Sequence, residues 1–130
     1  MRRNAEDTYV SLNSFCIPVR KEKWVRHLNG FLIDYDYYKH KQYKNLSAKE
    51  MYYGHIEPTL PFKPSYVIDS GRGLYVLFLI EHAGCVKTKI YKHIYKALCK
   101  SQLRFGADPK ATLVTQVFRL PGTLNSRTLR

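Results

Sequence analysis

Two apolar runs, Ser65 to Asp69 and Leu74 to Glu81, stand four residues apart, and those four are Ser70-Gly71-Arg72-Gly73. A tight reversal is what joins runs this close. The two glycines supply the positive φ values that such a loop needs. The chain is therefore committed to a β-hairpin in its middle, and the other elements have to arrange themselves around it. Upstream, Leu28 to Tyr38 reads as a strand with an apolar centre, Phe31-Leu32-Ile33. Before it lie a β-branched and aromatic stretch, Thr8 to Phe15, and a basic loop, Arg20 to Arg26; after it comes a polar loop, Lys39 to Asn45.

Ser47-Ala48-Lys49-Glu50 has the pattern of a capping box and predicts a helix that ends near Glu57, ahead of Pro58. Prolines 58, 61 and 64 mark an extended connection into the hairpin. From Val86 to Phe105, Ile90, Ile94, Ala97, Leu98 and Leu103 fall close to helical spacing, lysines fill much of the opposite side, and Gly106 suits the residue just past a helix end. A last strand is expected from Leu113 to Leu120, ended by Pro121-Gly122. After the first strand the order is β-α-β-β-α-β. That order predicts an α+β fold, with an antiparallel-rich split sheet, two helices on one face and an extra strand at the N-terminus. In such a sheet Leu28–Tyr38 lies beside Leu74–Glu81. A chain of 130 residues is one domain, so residues 1–130 form a single unit.

Charge narrows the function classes. Twenty-two Lys and Arg face ten Asp and Glu, a net charge of +12. Such an excess favours a polyanionic partner, because each neutralised phosphate releases counterions; an unspecialised basic surface has the same composition. Eleven tyrosines offer ring faces for bases, or core packing. Cys16, Cys85 and Cys99 are odd in number and lack CxxC spacing, which argues against a disulfide framework and a structural zinc site. Met1-Arg2-Arg3-Asn4 leads into polar residues without a signal-peptide core, and the longest apolar run, Leu74 to Ile80, is too short to span a bilayer. A cytoplasmic protein without membrane contact is expected. His27, His40, His55, His82 and His93 have no H-x-H or H-x₃-H partner, and neither a dinucleotide fingerprint nor a Walker loop is present.

Three clusters can carry chemistry. Asp34 and Asp36 are two apart on the expected strand, so both carboxylates point to one face. Like charges so close repel unless a cation sits between them, and hard oxygen ligands suit Mg²⁺ or Mn²⁺. The plain alternative is a strand that has ended, leaving two solvated carboxylates. In Ser70-Gly71-Arg72-Gly73-Leu74-Tyr75 the backbone can approach a phosphate, Arg72 can grip its oxygens and Tyr75 can hydrogen-bond or stack; an ordinary hairpin loop has the same residues. Arg119-Leu120-Pro121-Gly122-Thr123-Leu124-Asn125 puts an arginine and two short polar side chains around a turn, suited to a triphosphate or simply to a strand end. Arg127 and Arg130 add charge.

Taken in order, Phe31-Leu32-Ile33-Asp34-Tyr35-Asp36-Tyr37-Tyr38, Pro64-Ser65-Tyr66-Val67-Ile68-Asp69-Ser70-Gly71-Arg72-Gly73-Leu74-Tyr75, Phe105-Gly106-Ala107-Asp108 and Phe118-Arg119-Leu120-Pro121-Gly122-Thr123-Leu124-Asn125-Ser126-Arg127 resemble the archaeo-eukaryotic primase superfamily. The pattern is most similar to the primase-polymerase region of replication proteins on Firmicute plasmids, phages and integrated elements, and Tyr9-Val10-Ser11-Leu12-Asn13-Ser14-Phe15 is similar to the same group. The resemblance covers nearly the whole chain. It implies an RRM-like catalytic half in which Asp34 and Asp36 hold metal. Ser70, Arg72, Gly73 and Tyr75 would contact the incoming nucleotide, with Arg119 and Asn125 closing the site. The implied chemistry is nucleotidyl transfer on a single-stranded DNA template with (d)NTPs and Mg²⁺ or Mn²⁺. A helicase or other replication protein is the implied companion.

This sequence departs from that pattern in three places. Tyr75 stands where many relatives have histidine. Leu113 and Thr115 occupy the positions where relatives place a third acid, Gln116 replaces their arginine, and Asp108 is the nearest other carboxylate. The chain stops at Arg130 where relatives continue, so the domain is expected to be incomplete at its C-terminus. The departures leave three readings: an active primase-polymerase, a catalytically degenerate nucleic-acid-binding relative, and an RRM-like RNA-binding module using Tyr35, Tyr37 and Tyr75.

Overall fold

The computed structural model describes residues 9–119. Its strands are β1 (Tyr9–Ser11), β2 (Ser14–Phe15), β3 (Val25–Tyr35), β4 (Tyr66–Asp69), β5 (Leu74–Gly84) and β6 (Val117–Arg119); its helices are α1 (Ala48–Met51) and α2 (Thr88–Ser101). The fold is α+β, as the order of elements requires. β2, β3, β5 and β4 form an antiparallel sheet in that spatial order. β3 and β5, the two longest strands, lie side by side over most of their length, with Phe31 opposite Phe78 and Ile33 opposite Val76.

Both helices cover one face of the sheet. Phe31 stacks on Tyr91 of α2 (4.8 Å between ring centroids, 14° between planes) and meets Tyr95 edge-on. Met51 and Ile56, from α1 and the turn after it, are fully buried in the same core. Ser47 caps α1 by a complete capping box, its hydroxyl accepting from the Glu50 amide while Glu50 accepts from the Ser47 amide. The helix then widens into a π turn, Tyr52–Ile56, and finishes in a 3-10 turn, Glu57–Thr59, that contains Pro58. Proline is tolerated there because the second position of a short turn has no helical donor to lose.

Several boundaries differ from the sequence expectation. The strand expected at Leu28 begins at Val25, inside the basic loop, because β2 pairs with it there (Phe15 with Val25, Ser14 with His27). It ends at Tyr35, so Asp36 is the first residue beyond the strand (φ −97°, ψ 54°). The first strand breaks in two at Leu12 and Asn13, both buried. The long helix is shorter at both ends than Val86–Phe105. Cys85–Lys87 and Leu103–Phe105 are 3-10 turns, and Gly106 in the left-handed region (φ 89°) closes the second. The last strand starts at Val117 and pairs with β1, Tyr9 opposite Arg119, in a separate two-stranded ladder. The place beside β3 that the expected order gives to the last strand is held by β2.

β2 covers only the start of β3, and side chains complete the middle of its outer edge. The Asn13 side-chain oxygen accepts from the Asn29 amide at 2.8 Å. The Tyr91 hydroxyl donates to the Gly30 carbonyl. The Tyr95 hydroxyl accepts from the Leu32 amide (3.0 Å) and donates to the Leu32 carbonyl (2.7 Å). Buried backbone polar groups need partners, and here two tyrosines of α2 supply them. Burial pushes the hydroxyl pKa of both above the ordinary tyrosine value, Tyr91 to about 12, so both stay protonated donors at any physiological pH.

Candidate functional site

The site is built where β3 ends. Strand alternation turns Phe31, Ile33 and Tyr35 toward the helices and Leu32 and Asp34 toward the other face. Tyr35 is fully buried, and its hydroxyl donates to the Gln102 side chain at 2.9 Å. Asp34 lies opposite Tyr75, and Tyr75 lies opposite Ile68, so the three form one row across the sheet on the face away from the helices. Tyr75 is 8% exposed, and the Phe118 ring of β6 meets it edge-on at 6.3 Å. β6 thus brings the backbone of Arg119 over the same face as Asp34.

Two glycine segments clamp the Asp34–Asp36 backbone. On one side is the hairpin loop. A Cβ on Gly73 would lie 3.2 Å from the Tyr35 carbonyl carbon and inside van der Waals contact with its oxygen. On the other side is the segment after α2. The Asp36 amide donates to the Gly106 carbonyl at 2.8 Å, the Asp108 amide donates to the Asp34 carbonyl at 2.9 Å, and Tyr35 and Ala107 form an antiparallel bridge between them. A Cβ on Gly106 would come within 2.9 Å of the Asp36 carbonyl group and the Tyr37 Cα. The Phe105-Gly106-Ala107-Asp108 stretch therefore acts as a short extra strand on the outer edge of β3, with Asp108 in register beside Asp34.

That register brings Asp108, the weaker candidate from the sequence, next to Asp34 and Asp36. Burial pushes the Asp36 carboxyl above the usual aspartate range; Lys39, 3.7 Å away, opposes this, Asp108 adds to it by repulsion, and Arg72 opposes it more weakly. Asp36, Asp108 and Arg72 are thus close enough to share one electrostatic field. The Asp108 carboxylate also accepts from the Lys110 amide at 2.9 Å, which fixes the turn that follows. Among the described residues, no three His, Cys, Asp or Glu side chains form a gathered metal-holding group. Asp34 and Asp108 are backbone neighbours, but their side chains do not gather with that of Asp36 into such a group.

Arg72 lies over the Tyr38 ring, 4.7 Å from its centroid, with a guanidinium nitrogen 3.5 Å from the Tyr38 hydroxyl. Tyr38 had no role in the sequence reading. Its position two residues past Asp36, in a turn rather than a strand, lets it shelve the arginine toward the aspartate. Ser70 closes the hairpin, its amide donating to the Gly73 carbonyl at 3.1 Å. The Gly71 amide, a candidate phosphate donor, is held by the Asp69 carboxylate at 2.9 Å. The structure brings Asp34, Asp36, Asp108, Arg72, Gly73 and Tyr75 together. The Arg119 backbone pairs with Tyr9 at the end of β6, and Asn125, Arg127 and Arg130 lie outside the described residues. Leu113 is exposed, and Thr115 and Gln116 sit in the turn before β6, with the Gln116 side-chain nitrogen donating to the Val117 carbonyl. No helix among the described residues is long and apolar enough to cross a membrane.

No family model matches the chain, and no solved structure matches it. Among curated proteins, a "Replication protein" of Clostridium perfringens is 34% identical over 122 residues, covering 94% of this chain and 30% of the relative. The chain spans under a third of that relative's length, and it is along nearly all of its own length that it is similar to a Firmicute replication protein.

Proposed function

We propose that this chain is the nucleotidyl-transfer core of a replication protein of the archaeo-eukaryotic primase kind, extending or starting strands on single-stranded DNA with (d)NTPs and a divalent metal. One observation carries the reading. Three segments far apart in sequence, the Asp34–Asp36 strand end, the Arg72–Gly73 hairpin loop and the Gly106–Asp108 strand, pack backbone to backbone through two glycines at one point. Evenly spread basic surfaces need no such convergence. The similarity to a replication protein supports the replication role.

In this reading Asp34 and Asp36 hold Mg²⁺ or Mn²⁺, with Asp108 as the third acid in place of the missing residue at 113 or 115. The metal would activate the attacking 3′ hydroxyl and neutralise phosphate charge. Arg72, held on Tyr38, takes triphosphate oxygens; Tyr75, beside Asp34, contacts the sugar or base; Ser70 and Gly73 shape the loop. Arg119 and Asn125 would close the site. A helicase or another replication protein would supply the opened strand.

The test is incorporation of labelled nucleotide on a primed single-stranded template with Mg²⁺ or Mn²⁺. Activity that falls at least about a hundredfold in Asp34→Ala and Asp36→Ala, and clearly in Asp108→Ala, supports the proposal. No incorporation with either ion refutes catalysis for this chain. A second reading, a degenerate domain that binds without turnover, is favoured by the open carboxylate arrangement. It predicts salt-sensitive oligonucleotide binding whose affinity is indifferent to Asp108→Ala.

A further inference from the structure

The segment between Asp36 and Glu50 contains no acid and carries Lys39, Lys41, Lys44, Lys49 and His40. It is also a built structure. The Lys39 amide bonds to the Asp36 carbonyl, His40 to Tyr37, Tyr43 to His40 and Leu46 to Tyr43, each at 2.9 to 3.1 Å. Tyr37, which is buried, closes the loop by donating from its hydroxyl to the Leu46 carbonyl at 3.0 Å. Tyr43, half-buried against the core, packs beside exposed His55 (5.0 Å) and Phe105 (5.9 Å), with His40 6.3 Å away. Lys41, Lys44 and Lys49 are exposed, and none of them forms an ion pair among the described residues.

We infer that residues 37–49 form a saddle for single-stranded nucleic acid, leading the strand to or from Asp36. Its lysines sit along the sugar-phosphate backbone, and Tyr43 with His55 forms a platform on which a base stacks. Aromatic rings interleaved with cations on a fixed loop are the combination that binds single strands without sequence preference, because every base offers a ring face. The strand's role as template rests on the nucleotidyl-transfer reading; the binding surface does not. The basic surface on α2 lacks this combination. There Lys89, Lys96 and Lys100 flank exposed Ile90 and Ile94, on the helix-bearing face of the sheet, opposite Asp34. The loop begins one residue past Asp36.

The experiment measures fluorescence anisotropy of a labelled oligo(dT) of about 20 nucleotides, across a salt series, in EDTA and without nucleotide. Oligo(U) in parallel tells DNA from RNA, and poly(glutamate) serves as an acidic-protein mimic. The triple variant Lys41→Gln/Lys44→Gln/Lys49→Gln is expected to weaken binding at least about tenfold. It should also reduce the slope of log K against log salt by about 2, near 0.7 for each lost phosphate contact. Tyr43→Leu with His55→Ala should weaken it further at unchanged slope. The triple variant Lys89→Gln/Lys96→Gln/Lys100→Gln should stay within about threefold of the parent. Equal loss in both lysine triples, a greater loss in α2, no oligonucleotide binding at low salt, or poly(glutamate) bound as tightly as oligo(dT) would each overturn the inference. Because no step of the assay requires turnover, a chain that binds through the loop and incorporates nothing refutes catalysis alone.

Discussion

Replacing Gly73 by alanine tests the clamp directly. The added methyl would sit 3.2 Å from the Tyr35 carbonyl carbon and closer still to the oxygen, and both belong to the β3 backbone, which cannot swing aside as a side chain can. Relief requires the hairpin loop to retreat from Tyr35 and Asp36 by roughly an ångström. Overpacking of this kind costs about 1–3 kcal/mol. Loosening the adjoining turn bond, Ser70 amide to Gly73 carbonyl, adds about 1 kcal/mol. The expected loss is therefore about 2–4 kcal/mol, or a fall in Tm of about 6 to 15 °C for a domain of this size. Gly54 is the internal control. It lies in the π turn after α1, and a Cβ there meets nothing within 4 Å. Gly54→Ala should therefore be neutral, or stabilising by up to about 1 kcal/mol through the unfolded chain's lost freedom. Urea and thermal unfolding followed by circular dichroism measure both. If Gly73→Ala unfolds with the stability of Gly54→Ala, the hairpin does not press on the aspartate strand and the convergence argument fails with it.

Two further outcomes are expected. Tyr35→Phe removes a buried hydrogen bond to Gln102 and leaves that amide oxygen short of a partner, so it should destabilise by about 1–2 kcal/mol in urea unfolding with unchanged m-value; no loss would place the Tyr35–Gln102 bond outside the stability balance. Asp36 has a carboxyl pKa raised by folding, so its contribution to stability is full below the unfolded carboxylate range and is lost as pH rises through the folded value. Asp36→Asn should therefore unfold at higher urea than the parent at pH 7. That advantage should vanish on acidification below the ordinary aspartate range, and an equal advantage at both pH values would contradict the burial of Asp36.

Much of the scaffold was legible because it rests on local rules. The glycine-bearing hairpin, the Ser47 capping box and the apolar pairing of β3 with β5 all follow from short-range chemistry. The misplaced boundaries have tertiary causes. β3 begins three residues early because β2 pairs onto it, and Val25 and Arg26 read as loop until a partner is present. The last strand was assigned to the main sheet because sequence order gives no measure of which edge is already occupied. Residue type and spacing single out Asp34, Asp36, Arg72 and Tyr75 as candidates, and the pairing of β3 with β5 brings Asp34 opposite Tyr75. Asp108 was read as weak because its neighbour in register, Asp34, is 74 positions away in sequence; only the Gly106–Asp108 backbone bonds reveal that they adjoin. Tyr38 gave no signal, since a tyrosine past a strand end has many uses until the hairpin sets an arginine above it.

The tyrosine pegs along β3 tie two layers of the molecule into a single cooperative unit. Tyr91 stacks on Phe31 and Tyr95 meets it edge-on, and their hydroxyls satisfy Gly30 and Leu32. Undocking α2 would therefore uncover one face of the sheet and bare the main-chain groups of Gly30 and Leu32, which are of the kind that recruit a neighbouring molecule's strand. The seating of one helix thus also governs how far this stretch of β3 resists edge-to-edge association.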